Sequence, residues 1–285
     1  MGNQIKSVFL LGLLSVLLVY LGSLFGQEGM MVALFLAVAM NAVSYFFGDK
    51  LVLALYRARE LSPSDLPEVH RIVSRLTMAA HLPRPKLYLI PSATPNAFAT
   101  GRDPAHASVA VTSGIVSLLT EEELEGVLAH ELSHVKNRDI LIATVAATIA
   151  GAITFLARMM QWAAYFGGSG DDRRNGNAFS LIAMLLFAVL APIAAMIIQL
   201  AISRSREYLA DESGAQLCGH PEYLASALRK LATGVQARPM SSANPSTAHL
   251  FIVNPFSARS LLAIFSTHPP LEERIARLEA MAGRR

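Results

Sequence analysis

Residues His130-Glu131-Leu132-Ser133-His134 place two imidazoles four positions apart, with a carboxylate directly after the first. On an α-helix, positions i and i+4 stand one above the other on one face, so both rings can ligate a single zinc ion. Glu131 sits beside these ligands and points to the ion's water. There a carboxylate acts as general base once zinc has brought the water's pKa from about 15.7 towards about 7. The chemistry on offer is hydrolysis of an amide. A catalytic zinc also needs a third protein ligand and an open position. The metzincin extension would supply a histidine at position 140, which is Ile140 here, so the ligand must come from a distant part of the chain. Glu207, in S-R-S-R-E-Y-L-A-D-E, is the candidate. On its residues alone it reads equally as a partner for Arg204 or Arg206. Asp211, one helical turn further, shares a face with Glu207 and can accept the free N–H of a zinc-bound imidazole.

These residues need elements to hold them. Thr120 with Glu123 three positions on forms a capping box, and Leu124, Val127, Leu128, Leu132 and Val135 continue an apolar helical stripe, so the metal motif lies on a helix. Residues 66–81 are a second amphipathic helix, with Val69, Ile72, Val73 and Leu76 facing inward. Residues 86–90 and 107–112 read as short strands flanked by proline- and glycine-containing turns, which predicts a small antiparallel sheet. The C-terminal segment starts helical, breaks near 219–221, resumes over 223–231 and loosens over 233–254. It closes with an amphipathic helix over 271–281.

The composition is that of a membrane protein. Of 285 residues, 53% are hydrophobic and 16% charged, against about 25% charged in soluble domains. Residues 8–25, 30–47, 140–157 and 178–203 carry no charged side chain, and each is long enough for a bilayer core of about 30 Å. The first run also fits a signal peptide, but its length and the lack of a small-x-small cleavage site favour an uncleaved anchor. Only residues 27–29 separate the first two runs, so they form a hairpin, and the last two form another. The expected organisation is a transmembrane hairpin over 1–47, a first soluble part over 48–139, a second hairpin over 140–203 and a second soluble part over 204–285. Each soluble part holds ten Lys or Arg, which places both, and both termini, in the cytosol. The net charge of +3 with scattered basic residues excludes a nucleic-acid footprint. The single cysteine, Cys218, excludes an intrachain disulfide and reads as a small packed hydrophobe. His70, His81, His106 and His220 lack partners at ligand spacing and read as solvated or hydrogen-bonded. Around His249, F-I-V-N-P-F is either a lid over the cleft or a stripe on the bilayer.

The ordered series P-N-A-F-A-T-G near Asn96, V-L-A-H-E-L-S-H-V-K-N-R-D, S-R-S-R-E-Y-L-A-D, A-H-L-F-I-V-N-P-F and S-T-H-P-P-L-E-E-R-I resembles the HtpX family of bacterial membrane zinc metalloproteases, relatives of the CAAX prenyl proteases. The resemblance spans almost the whole chain. It implies a mainly α-helical integral membrane protein with four transmembrane helices, a zincin-like cytosolic domain, and one Zn2+ per chain on His130, His134 and Glu207. Glu131 is then the catalytic base and Asp211 the partner behind a zinc ligand. The resemblance also implies that Asn96 and Ala97, on an edge strand, pair with the substrate backbone, against the plainer reading of Asn96 as an Asx turn after Pro95. His268 then steadies the oxyanion, against a structural role before two prolines, and Arg274 supports that loop or caps a helix face. The implied partners are the lipid bilayer and protein substrates, chiefly misfolded or damaged proteins of the bacterial inner membrane degraded during stress. Two rival readings are a CAAX-type processing protease, which needs a larger helical chamber than four spans enclose, and a non-enzymatic zinc scaffold or holdase, in which Glu131 has no purpose.

Overall fold

The computed structural model describes residues 26–149, 204–237, 250–252 and 269–283, together with scattered helical positions between 9 and 23. Helix α1 (Gly26–Leu55) is followed by β1 (Arg59–Glu60), α2 (Pro67–Ala80), β2 (Lys86–Ile90) and β3 (Ala97–Gly101). Then come β4 (Ala107–Thr112), α3 (Ser113–Leu118) and α4 (Glu121–Lys136), with α5 (Ile140–Ile149) directly after. Helices α6 (Arg204–Cys218), α7 (Pro221–Ala237) and α8 (Leu271–Ala282) complete the described chain. The protein is thus mainly helical around one small sheet.

The sheet is mixed, which corrects the expected antiparallel one. Its order is β1-β2-β4-β3, with β2 parallel to β4 and β3 antiparallel to β4. The extra strand is β3, Ala97–Gly101, which places Ala97 on an edge strand as the resemblance implies and Asn96 just before it. The short 102–106 connection folds β3 back on β4 as a hairpin, and residues 91–96 carry the chain past one strand position. Successive strands therefore alternate in direction, yet β2 and β4 become parallel neighbours, and β3 takes the edge. Period-2 alternation then divides the faces. Leu87, Ala97, Ala99, Val109 and Val111 join the main core, and Tyr88, Ile90, Phe98 and Ala110 line the other side.

The main core draws on distant parts of the chain. Val69, Ile72, Val73 and Leu76 of α2 meet Val127, Leu128 and Leu132 of α4, and Leu224, Leu228 and Leu231 of α7 close over them. At about 1.5–3 kcal/mol for each large aliphatic side chain removed from water, this contact is what holds α2 and α4 to α7. The capping box that starts α4 is complete: Thr120 Oγ1 accepts the Glu123 N–H at 3.3 Å, and Glu123 Oε2 accepts the Thr120 N–H at 2.9 Å. Helix α7 runs six residues beyond its expected end at Leu231, through Ala237. Gly234 presses on Pro95 and Leu118, and Thr233 turns its hydroxyl back to the Lys230 carbonyl, so tertiary contact overrides a polar composition.

Helix α1 is 30 residues long with a mean hydropathy of 2.0, and only 11% of its most apolar window is buried. Residues 27–29, expected as the turn of the first hairpin, are helical. Gly26, at φ +83°, starts the helix instead. Close approach fixes the preceding segment: a Cβ on Gly22 would lie 2.3 Å from Ala33 Cβ, and Asn41 donates to Ser15 at 2.8 Å. Leu141, Ile142, Val145, Ala146 and Ile149 of α5 pack with Leu11, Leu18 and Met40. The fourth apolar run, 178–203, and all but the first ten residues of the third lie outside the described residues.

Candidate metal centre

Helix α4 presents His130 and His134 to α6, whose Glu207 and Asp211 face them one turn apart. Two glycines permit this. A Cβ on Gly214 would lie 2.9 Å from His130 N, and one on Gly126 would lie 2.5 Å from Leu224 N, so α6 and α7 rest backbone-on-backbone against α4. The ring nitrogens His130 Nε2 and His134 Nε2 come within 3.2 Å of each other. Glu207 Oε1 lies 3.6 Å from the latter and Oε2 lies 3.8 Å from the former. A tetrahedral ion with bonds of about 2.0–2.2 Å sets its donors about 3.3–3.5 Å apart, so this triangle suits zinc.

The far side of each ring is held by a carboxylate. His130 Nδ1 is 2.9 Å from Asp211 Oδ1, and His134 Nδ1 is 3.1 Å from Asp139 Oδ2. With both Nδ1 atoms so engaged, the Nε2 lone pairs turn toward the common centre. Asp139 was treated in the sequence only as the link into the third apolar run. A turn with Arg138 at φ +55° carries it back under His134. The one available signal was an aspartate five residues past the motif's second histidine.

Arg274 neither caps a helix face nor reaches solvent. It is 0% exposed, clamping Asp211 through Nε to Oδ2 at 2.8 Å and Nη2 to Oδ1 at 2.7 Å. Its Nη1 also donates to the Ile252 carbonyl at 3.2 Å and lies 3.6 Å from Glu207 Oε2. Four carboxylates (Glu131, Asp139, Glu207 and Asp211) thus share the buried site with two guanidiniums, Arg206 and Arg274. With every group ionised, two negative charges are left over, which a dication balances.

Protonation follows the same logic. Burial pushes the Glu131 carboxyl up to about 8, with the His134 charge opposing and Glu207 reinforcing. Burial works against protonation of His134, but Asp139 and Glu207 overcome it and raise the imidazole to about 10. His130, whose burial outweighs its Asp211 contact, is lowered. Asp211 is lowered despite its burial because Arg274 holds it ionised. Without a metal the centre takes up protons instead.

Glu131 is 3% exposed, and its Oε2 accepts the Ala99 N–H of edge strand β3 at 2.9 Å. Asn96 precedes that strand and is fully buried. Its N–H donates to Thr112 Oγ1 at 2.9 Å and its Oδ1 accepts the Ala97 N–H at 3.2 Å, one residue short of an Asx turn. Phe251 and Ile252 lie buried against β3, so this part of F-I-V-N-P-F covers the cleft. His268 lies outside the described residues. Of the other histidines, His70 meets Arg84, His106 meets Asp103 and His220 meets Glu222, while His249 lies outside the described residues. Cys218 packs at the edge of the main core.

Residues 63–282 match the family described as Peptidase family M48. Proteins named "Protease HtpX homolog" are similar over nearly the full length. One from Syntrophobacter fumaroxidans is 55% identical over 99% of this chain and 100% of its own. One from Thermodesulfovibrio yellowstonii is 57% identical over 99% of both, and one from Pyrococcus furiosus is 51% identical over 99% and 96%. Among solved structures, "Crystal Structure of S. mikatae Ste24p" shares the fold at a TM-score of 0.51 and 18% identity over 97% of this chain. The present chain spans 65% of that one.

Proposed function

The chain belongs to peptidase family M48, and from that premise we propose that it is a membrane-bound zinc endopeptidase cutting internal peptide bonds of misfolded or damaged membrane proteins. One observation carries the reading: His130 Nε2, His134 Nε2 and the Glu207 carboxylate converge beside the Glu131 carboxylate. Zinc held by the first three would polarise the scissile carbonyl and acidify the attacking water. Glu131 takes the proton from that water and passes it to the leaving amine. Asp139 and Asp211 keep Nδ1 of each imidazole protonated and Nε2 free to ligate. Ala97 and Asn96 receive the substrate backbone as a strand added to β3, and His268 assists the oxyanion.

In the membrane part, four helices cross a bacterial inner membrane, with the metal centre and both termini on the cytosolic side. The unburied apolar surface of α1 supports this reading, as does the packing of α5 on Leu11, Leu18 and Met40. Only three residues, 137–139, separate the metal helix from α5, so the centre lies within about 10 Å of the bilayer at 1.5 Å per helical residue. Substrates anchored in or emerging from that bilayer are therefore within reach, which suits a role in membrane-protein quality control under stress.

The test compares degradation of an unfolded membrane protein by detergent-purified wild type, Glu131→Gln and chelated wild type. Loss of turnover by about 10²–10⁴-fold in the mutant, with one zinc per chain retained, is the expected result. Undiminished turnover in Glu131→Gln removes it as the base.

A further inference from the structure

Edge strand β3 has its outward backbone groups already engaged by three different elements. Gly101 N–H donates to Thr144 Oγ1 of α5 at 3.1 Å, Ala99 N–H donates to Glu131 of α4 at 2.9 Å, and Ala97 C=O accepts from Ile252 N–H at 3.3 Å. The first two partners are side chains of helices. The third is backbone, and it comes from the segment 250–252.

That segment sits beside β3 as an incoming peptide would. Phe251 and Ile252 point to opposite faces of the sheet, with Leu250 on the Phe251 side. Ile252 enters the core beside α4. Phe251 fills an aromatic slot, edge-on to Tyr56 with centroids 5.1 Å apart and edge-on to Phe98 at 5.5 Å. Both side chains are essentially removed from solvent, at 0% and 2% exposure. The Ile252 carbonyl accepts from Arg274 Nη1, the nitrogen that also lies 3.6 Å from Glu207. One side chain therefore separates the segment from a metal ligand.

We propose that Leu250–Ile252 is a built-in stand-in for substrate, and that the slot formed by Tyr56 and Phe98 is the subsite that receives an aromatic or large aliphatic side chain of the peptide to be cut. The proposal rests on the reading that substrate adds to β3 as a strand. Two strands cannot occupy one edge, because Phe251 and Ile252 fill the space on both faces that a second strand's side chains need. Substrate entry then requires the segment to leave. Its backbone pairing with β3, a single hydrogen bond among the described residues, is weaker than the five residue pairs that join β3 to β4, and the burial of Phe251 and Ile252 supplies the rest of its hold. The vacated slot is walled by Val52, Leu53, Tyr56, Ile90, Phe98 and Ala110. These walls are apolar apart from the Tyr56 hydroxyl, so the slot selects apolar side chains and rejects acidic ones. Apparent affinity is reduced by the fraction of molecules in which the segment is displaced, so loosening it tightens substrate binding.

Hydrogen exchange on full-length Glu131→Gln in detergent, with and without a saturating apolar peptide containing one phenylalanine, tests displacement. The expected result is faster exchange at Ile252, by about tenfold or more, together with altered exchange over 97–101. Altered exchange over 97–101 with Ile252 unchanged overturns the stand-in and leaves strand addition intact. A bound peptide that changes neither overturns strand addition as well. Turnover provides the second measurement. Phe251→Ala should raise kcat/KM for a quenched peptide about tenfold, chiefly through KM, with Phe251→Leu in between. A fall in kcat/KM at full zinc content overturns the proposal. In wild type, a peptide with phenylalanine should exceed its glutamate counterpart by at least about tenfold, and equal rates overturn the subsite.

Discussion

Gly214→Ala adds one methyl group to a helix and touches no ligating atom, yet it should unload the metal centre. The new Cβ would lie 2.9 Å from His130 N, 3.0 Å from His130 Cα and 3.1 Å from Ala129 C, where ordinary contact begins at 3.4 Å. All three atoms belong to the backbone of α4, so no side chain can swing aside. Helix α6 must retreat by about half an ångström at this point, carrying Asp211 and Glu207 away from His130. Glu207 already stands 3.6–3.8 Å from the two Nε2 atoms, and metal sites tolerate only about 0.2 Å in bond length. We expect zinc affinity to fall about 10–100-fold, the cost of disturbing groups behind a ligand. Turnover should fall by up to about 10²-fold, as for a misplacement approaching 1 Å. Folding stability should fall by about 0–2 kcal/mol, because overpacking of about 1–3 kcal/mol is partly offset by about 1 kcal/mol of helix propensity gained over glycine. Zinc competition against a chromophoric chelator reads the first quantity and metal-free thermal unfolding reads the last. Gly283→Ala is the control, since its Cβ meets only Glu279 O at 3.7 Å. Wild-type zinc affinity in Gly214→Ala would refute the claim that backbone contact at this glycine sets the ligand geometry.

The two aspartates behind the histidines should separate cleanly. Asp139→Asn weakens zinc binding about 10–100-fold and lowers metal-free stability only by the part of the His134 elevation that Asp139 supplies. Asp211→Asn weakens zinc binding as much and also strands the Arg274 guanidinium at 0% exposure, lowering metal-free stability by about 3–5 kcal/mol; identical melting of the two variants would contradict that assignment of Arg274. Zinc binding should release protons, because Glu131 near 8 and His134 near 10 are both largely protonated without metal at pH 7. Calorimetry in buffers of different ionisation enthalpy should count between one and two protons per zinc, with affinity rising up to about tenfold per proton per pH unit above pH 7. The sign for folding is the reverse. Both groups titrate higher in the folded state than in the unfolded chain, so the metal-free protein loses stability as pH rises, from 4.5 to about 8 through Glu131 and from 6.5 to about 10 through His134. The lowered pKa of His130 acts in the opposite sense only below its ordinary 6.5. A metal-free melting temperature that rises over pH 7–10 would contradict this assignment.

Much of the machinery was legible in sequence because it is local. Spacing of four residues aligns His130 with His134 whatever surrounds them, Thr120 caps α4 through a residue three positions on, and the 3.6-residue period marks the buried faces of α2 and α4. Charge-free runs announce an apolar environment by composition alone. The partners of these elements carry no such period. Glu207 stands 73 positions after His134, and its residues read equally as a surface ion pair until α6 packs through Gly214 onto α4. Asp139 gained its contact only from the left-handed turn at Arg138, and Arg274 only from the Asp211 carboxylate it meets. Strand order was also beyond local reading: alternating directions are local, but the neighbour of β2 depends on whether β3 or β4 lies inside, which the core facing α4 decides. The same holds for Ile252, whose N–H finds Ala97 across more than 150 positions. The sequence alone specified the histidine pair, the carboxylate beside it and the apolar segments, since neighbours along one helix suffice for those. Tertiary packing decided the approach of Glu207, the carboxylates behind the histidines and the occupant of the edge strand, since each requires two backbones to approach at one particular register.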